Sequence, residues 1–113
     1  MVKILITTLN LLLKLYQLTE AEVNESIMVD ASHGNSQKIF KNQIPVISSV
    51  CEQIINGNKN LNGVMIESHL VEGNQKISDN LVYGQSITDG CMNIEDTEGC
   101  FKELDAAVSK SRG

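Results

Sequence analysis

The sequence predicts an α/β fold in which parallel strands are joined by helical crossovers, and three observations carry that prediction. Two short, mostly apolar runs, residues 27–31 and 63–67, have the length of strands. Each of them stops at a serine-histidine pair, Ser32-His33 and Ser68-His69. Between and after them lie stretches whose apolar residues recur at helical spacing.

Taken in order, the first 18 residues hold Lys3 and an apolar run over 4–13, the outline of a secretion signal. Asn10 and Lys14 interrupt that run, no small-x-small cleavage site follows, and Glu20, Glu22 and Glu25 arrive at once. It is also shorter than the ~20 residues a membrane-spanning helix needs. Leu5, Leu9, Leu12 and Tyr16 fall on one helical face, which predicts an amphipathic helix against a core. Residues 1–25 are therefore set apart as an N-terminal helix and linker, and 26–113 as the main unit.

After the first strand, Ser36 offers an N-cap, and Phe40, Ile44, Ile47, Cys51 and Ile54 repeat at steps of four and three up to Asn56-Gly57-Asn58. Pro45 lies inside this pattern and is expected to kink the helix. The stretch over 72–93 is long and polar, which points to a functional or flexible segment, with Leu81-Val82-Tyr83 expected as one arm of a small hairpin. A last helix is expected to start at Asp96 or Thr97 and to carry Phe101, Leu104 and Val108, with Lys110 and Arg112 at its C-terminal end where the helix dipole favours cations.

Composition narrows the function. The 113 residues make one domain at most, too few for a whole (β/α)8 barrel. A hydrophobic share of 42% with 20% charged residues can build a core and excludes compositional disorder. The net charge of -5 and the nine scattered Lys and Arg give no basic surface, so no nucleic-acid partner is expected, and no membrane partner either. Cys51, Cys91 and Cys100 are odd in number and lack CxxC spacing, which suits free thiols in a reducing, cytoplasmic compartment.

Barrel and open sheet fit the alternation equally well. In both, chemistry lies beyond the carboxyl ends of the strands, where His33 and Glu67 stand. Strand alternation puts Met65, Glu67 and His69 on one face, and an inward carboxylate at Glu67 is costly unless paired or metal-bound. With Asp89 from the long loop, one imidazole and two carboxylates suit a divalent first-row ion with open positions for substrate. A histidine after a strand is more often a hydrogen-bonded structural residue, so spacing alone leaves both readings open. The Gly34-Asn35-Ser36 turn could likewise cradle a phosphate or serve as an ordinary cap and turn.

Three blocks carry a resemblance: MVDASHGNSQK from Met28, GVMIESHLVEGNQ from Gly63 and YGQSITDGC from Tyr83. They resemble consecutive signature blocks of class I 3-deoxy-D-arabino-heptulosonate 7-phosphate (DAHP) synthases, in family order, with similarity over 26–113. The resemblance implies the C-terminal portion of a (β/α)8 TIM barrel: the end of helix six, strand seven, helix seven, strand eight, a hairpin-bearing loop and helix eight. It implies that His33, Glu67 and Asp89 bind a divalent metal ion, which could be manganese, iron, cobalt or zinc. The implied reaction condenses phosphoenolpyruvate with erythrose 4-phosphate in a complete enzyme expected to be a homo-oligomer.

The family's cysteine ligand from an early strand and its Lys-Pro-Arg-Thr phosphate loop have no counterpart here, and residues 1–18 do not resemble the family. Cys91 stands two residues from Asp89, as a site neighbour or a small buried thiol, while Cys51 and Cys100 are assigned no chemistry. Lys38 and Lys41 are expected as solvated helix lysines. On these grounds the isolated polypeptide is expected to be inactive, and a second reading is a truncated, non-catalytic product that binds metal weakly or docks on full-length subunits.

Overall fold

Strand β1 (Ile27–Asp30) and strand β2 (Leu61–Met65) pair in parallel, with Val29 opposite Val64 and Asp30 opposite Met65, in a computed structural model that describes residues 26–113 together with Glu20. The amphipathic helix expected over the first 18 residues lies outside the described residues. The connection from β1 to β2 is helical, as a parallel pair demands. It runs through one turn of helix, α1 (His33–Ser36), a 3-10 turn (Phe40–Asn42) and the longer α2 (Gln43–Ile55).

The core lies between this sheet and two packed helices. Val46, Ile47, Val50 and Cys51 form one face of α2 and meet Cys100 and Ala107 of the last helix, α3 (Ile94–Arg112), with Val29, Ala31 and Met92 completing the cluster. Each fully buried Val or Ile side chain contributes roughly 1.5–3 kcal/mol relative to exposure, so this face holds the helices to the sheet. Val64 and Ile66 pack against the same cluster. Met28 projects the other way and is 71% exposed.

The helix expected from Ser36 starts instead at Gln43. Gln37 and Lys38 both adopt left-handed backbone, φ 56° and 60°, which ends α1 and cannot continue a right-handed helix. Ser36 does not cap a helix: it is buried, and its hydroxyl donates to the His33 carbonyl at 3.2 Å. Pro45 becomes the third residue of α2, where the first-turn N–H has no intrahelical acceptor, so the expected kink has no cause. The stop at Asn56-Gly57 falls where expected, with Gly57 at φ 96°.

The last helix starts two to three residues earlier than expected because Asn93 caps it, its side-chain oxygen accepting the Asp96 N–H at 2.8 Å. Its buried stripe is Thr97, Cys100 and Ala107, with Leu104 packed beside them. Phe101 is 57% exposed. One residue along a helix is about 100° around it, and the small side chains at 100 and 107 let α2 approach closely, leaving the larger Phe101 outside.

Four short strands fold the segment between β2 and α3: β3 (Ser68–His69), β4 (Val71–Asn74), β5 (Gln85–Ser86) and β6 (Met92–Asn93). β3 pairs with β6 and β4 with β5, both in parallel. Residues 81–83 belong to no strand, so the expected hairpin does not form. The Gln75 side chain replaces a partner strand there, donating to the carbonyls of Val82 and Gln85 at 2.9 and 3.0 Å and accepting the Val82 N–H at 2.9 Å. The chain returns at Gly84, φ 81°, where a Cβ would lie 2.9 Å from the Leu70 Cβ, so a side chain is both strained and crowded.

Candidate metal centre

The site begins at the end of β1. Asp30 Oδ1 accepts the Ser32 N–H at 2.8 Å and the Ser32 hydroxyl, and its Oδ2 lies 2.7 Å from His33 Nδ1. Burial pushes the Asp30 carboxyl up, but the hydrogen bonds from Ser32 and His33 outweigh it and hold the group at about 2. The same contact acts on its partner. The hydrogen bond and charge of Asp30 raise the His33 imidazole above its ordinary value, with the Glu67 and Asp89 carboxylates adding to the effect. With Nδ1–H directed at Asp30, a neutral His33 presents the lone pair of Nε2 to the other side.

On that other side stand Glu67 and Asp89. His33 Nε2 lies 3.1 Å from Glu67 Oε1 and 3.7 Å from Asp89 Oδ2, and one ligand atom from each of the three residues lies within 4.8 Å of the others. Glu67 is not in a strand: β2 ends at Met65, so alternation along the strand does not set its direction. Its peptide is held instead by Gln43, which accepts the Glu67 N–H at 2.8 Å and donates to the Glu67 carbonyl at 3.0 Å, and by the Met92 N–H at 3.1 Å. Asp89 sits in the turn between β5 and β6. Asn74 fastens that turn by donating to the Thr88 carbonyl at 2.8 Å, and Gly73 and Cys91 close it with reciprocal backbone bonds of 2.8 and 3.1 Å.

The three side chains open onto a cleft of about 170 Å³ that Ser32, Lys38, Phe40 and Gln43 also line. Ligand atoms around one first-row ion stand roughly 3–4.2 Å apart at bond lengths near 2.1 Å, so small rotamer movements would gather this set on one ion. One imidazole and two carboxylates are the donors such an ion takes, with positions left open. The residues therefore fit a divalent cation. His69, read from the sequence as sharing a face with Glu67, is exposed and accepts the Leu70 N–H at its own Nδ1, 2.8 Å away.

The remaining candidates divide. Lys38 is not a helix lysine: it lies in the left-handed turn and lines the cleft. Lys41 is in the 3-10 turn and faces Glu72 at 3.8 Å. Residues 33–36 fold as a single helical turn closed by the Gln37 and Lys38 N–H groups on the carbonyls of Gly34 and His33, while the Asn35 amide donates to the Asp30 carbonyl at 2.8 Å. Cys91 is half-buried beside Asp89, its sulfur 3.6 Å from the Asp89 carbonyl. Burial pushes its thiol up, a Ser86 hydrogen bond opposes this, and the Glu67 and Asp89 charges add to it. Asp30 and Gln43 were missed in the sequence. Asp30 has a local signal, a carboxylate three residues before the histidine, whereas Gln43 has none.

The family model described as "DAHP synthetase I family" matches residues 8–102, so the likeness reaches into the first 18 residues, which the sequence had set apart from the family. The Phe-sensitive phospho-2-dehydro-3-deoxyheptonate aldolase of Escherichia coli K12 is 48% identical over 98 residues, covering 85% of this chain and 28% of that protein. A putative phospho-2-dehydro-3-deoxyheptonate aldolase of Schizosaccharomyces pombe is 47% identical over 100 residues, again 85% of this chain and 27% of the relative. A solved structure of phospho-2-dehydro-3-deoxyheptonate aldolase from Francisella tularensis SCHU S4 superposes with a TM-score of 0.82 at 46% identity, covering 88% of this chain and 29% of that one. The chain thus spans less than a third of the length of these relatives.

Proposed function

The chain belongs to the DAHP synthetase I family, and from that premise we propose that it supplies the metal-binding C-terminal part of a 3-deoxy-7-phosphoheptulonate synthase, which joins C3 of phosphoenolpyruvate to the aldehyde carbon of erythrose 4-phosphate, adds water at C2 of phosphoenolpyruvate and releases phosphate. The observation that carries this reading is the convergence of His33, Glu67 and Asp89 on one cleft. His33 Nε2 and the two carboxylates would hold the divalent ion. Asp30, fixed by Ser32, keeps the imidazole turned so that Nε2 faces the ion. Once bound, such an ion would supply Lewis-acid chemistry for the aldehyde of erythrose 4-phosphate. Three protein donors leave positions open for a substrate oxygen and for a further ligand from another part of the enzyme.

In this reading residues 26–113 belong to the end of a (β/α)8 barrel, with β1 and β2 as neighbouring barrel strands and α2 as the helix between them. The sheet supports it: its helix-facing residues Val29 and Val64 are packed, while Met28 on the opposite face is exposed, as a strand would be whose inner face awaits the rest of a barrel. Three free thiols support a reducing, cytoplasmic setting. The complete enzyme would be a homo-oligomer.

Fragment complementation tests the function. The Escherichia coli Phe-sensitive relative, cut before its matching segment, would be refolded with this chain, and Mn2+-dependent loss of phosphoenolpyruvate followed in the presence of erythrose 4-phosphate. Either part alone should be inactive, the pair should consume phosphoenolpyruvate, and the pair carrying Glu67→Gln should lose at least a hundredfold in rate, in line with removing a charged group from a metal site. Activity unaffected by substitution at His33, Glu67 or Asp89 would sink the proposal.

A further inference from the structure

We infer that Gln43 is a positioning residue for the candidate metal centre, aiming Glu67 through a two-point clamp on its backbone N–H and C=O. The inference rests on the proposed metal role of Glu67 and goes beyond it to a residue outside the three-ligand set. Gln43 opens α2 and its side chain is fully buried, at 0% exposure. A buried amide is costly unless both its donor and its acceptor are satisfied, and an apolar residue of the same size would fill the space without that demand. Both ends of this amide are spent on one residue 24 positions away: Oε1 accepts the Glu67 N–H at 2.8 Å and Nε2 donates to the Glu67 carbonyl at 3.0 Å.

The position of that residue explains the expense. β2 ends at Met65 and β3 starts at Ser68, so Glu67 lies in a gap between the two strands. Gln43 presents an acceptor to the N–H and a donor to the C=O of one residue, as a neighbouring strand would, and this fixes the backbone at Glu67 and hence its Cα–Cβ direction. Met92 also donates to the Glu67 carbonyl, so without Gln43 that oxygen keeps one partner while the N–H loses its own. The backbone at Glu67 would then be free to rotate, and its carboxylate would leave the 3.1 Å approach to His33. Groups one step removed from a metal commonly set affinity by 10–100-fold through orientation of this kind.

The test compares Mn2+ affinity, read by electron paramagnetic resonance, and the visible bands of the Co2+ form in the 113-residue chain and its variants. Gln43→Met keeps the volume and removes both hydrogen bonds. It should bind Mn2+ at least tenfold more weakly than the unsubstituted chain and alter the Co2+ bands. Gln43→Glu keeps an acceptor for the Glu67 N–H and should fall between them. Val50→Ala, a cavity in the same helix away from the cleft, controls for lost stability: its unfolding midpoint should fall while its Mn2+ affinity and Co2+ bands stay unchanged. Wild-type affinity in Gln43→Met, or an equal loss of affinity in Val50→Ala, overturns the role of Gln43. If Gln43→Met does not fold, wild-type affinity and spectrum in Gln43→Glu overturn it equally. If the unsubstituted chain binds Mn2+ no better than a His33→Ala, Glu67→Gln double variant, the metal reading itself fails and takes this inference with it, an outcome visible before Gln43 is changed.

Discussion

Asp30 and His33 set the character of the site through a single contact. The 2.7 Å approach of Asp30 Oδ2 to Nδ1 fixes both the tautomer and the plane of the imidazole, so the other nitrogen has one direction in which to act. Asp30→Asn keeps the shape and an acceptor but removes the charge, and it should weaken Mn2+ binding by roughly tenfold in a direct titration; undiminished affinity would remove Asp30 from the centre. A second prediction concerns Cys51 in the core. Burial first, then the Glu103 carboxylate and Cys100, raise its thiol from 9.0 to about 11. The folded state therefore holds this proton more tightly than the unfolded chain does. That contribution to stability is intact below about pH 9 and is lost as pH rises towards about 11. The urea midpoint of the unsubstituted chain should fall between about pH 9 and pH 10.5, and should fall less in Cys51→Ala; parallel declines would show that the thiol is not the group responsible. At this scale the sequence made His33, Glu67 and Asp89 legible because each stands inside a recognisable block. Asp30 and Gln43 were not, because they act through other residues, and the partner of Gln43 is fixed only once α2 has its register.

Elements were legible where chemistry is local and obscure where a boundary depends on tertiary contact. Both main strands and the helical crossover follow from apolar run length and periodicity, and the parallel pairing of β1 with β2 follows from their order. The start of α2 does not, because two non-glycine residues in succession take left-handed backbone, a conformation that no side chain at Gln37 or Lys38 announces. Pro45 then changes meaning, from a helix breaker to a first-turn residue. Pro45→Ala should accordingly alter the thermal midpoint little, by no more than roughly 0.5 kcal/mol in stability, whereas relief of a kink or loss of a needed bend would produce a larger change of either sign. Asn93 gives the opposite case. Its side chain caps α3 on the Asp96 N–H, and Asn93→Ala should cost about 1 kcal/mol in urea unfolding, with helical circular dichroism lost first from the same variant on heating. The hairpin was misread because Gln75 satisfies Val82 with a side chain where a pattern of apolar residues suggested a strand.

Across the whole molecule, the two sides of the β1–β2 sheet are not equivalent. The helix side is a packed core, and the other side shows Met28 and Met65 to solvent beside the end of the strand that leads into the candidate metal centre. The proposed barrel gives that face a definite partner, the inner side chains of the remaining strands, and so separates the stability of this segment from its ability to join the rest of the enzyme. Met28→Lys tests the separation. The side chain already lies largely in water, so the substitution should leave the urea midpoint of the isolated chain within roughly 0.5 kcal/mol, the range of ordinary surface changes. Inside a closed barrel the same ammonium would be buried without a partner, at a cost of several kcal/mol. Met28→Lys should therefore abolish complementation with the truncated Escherichia coli relative while retaining the Mn2+ affinity of the chain on its own. Full complementation by this variant would mean that the face stays open to water in the assembled enzyme, and β1 and β2 could not then be neighbouring strands of a filled barrel.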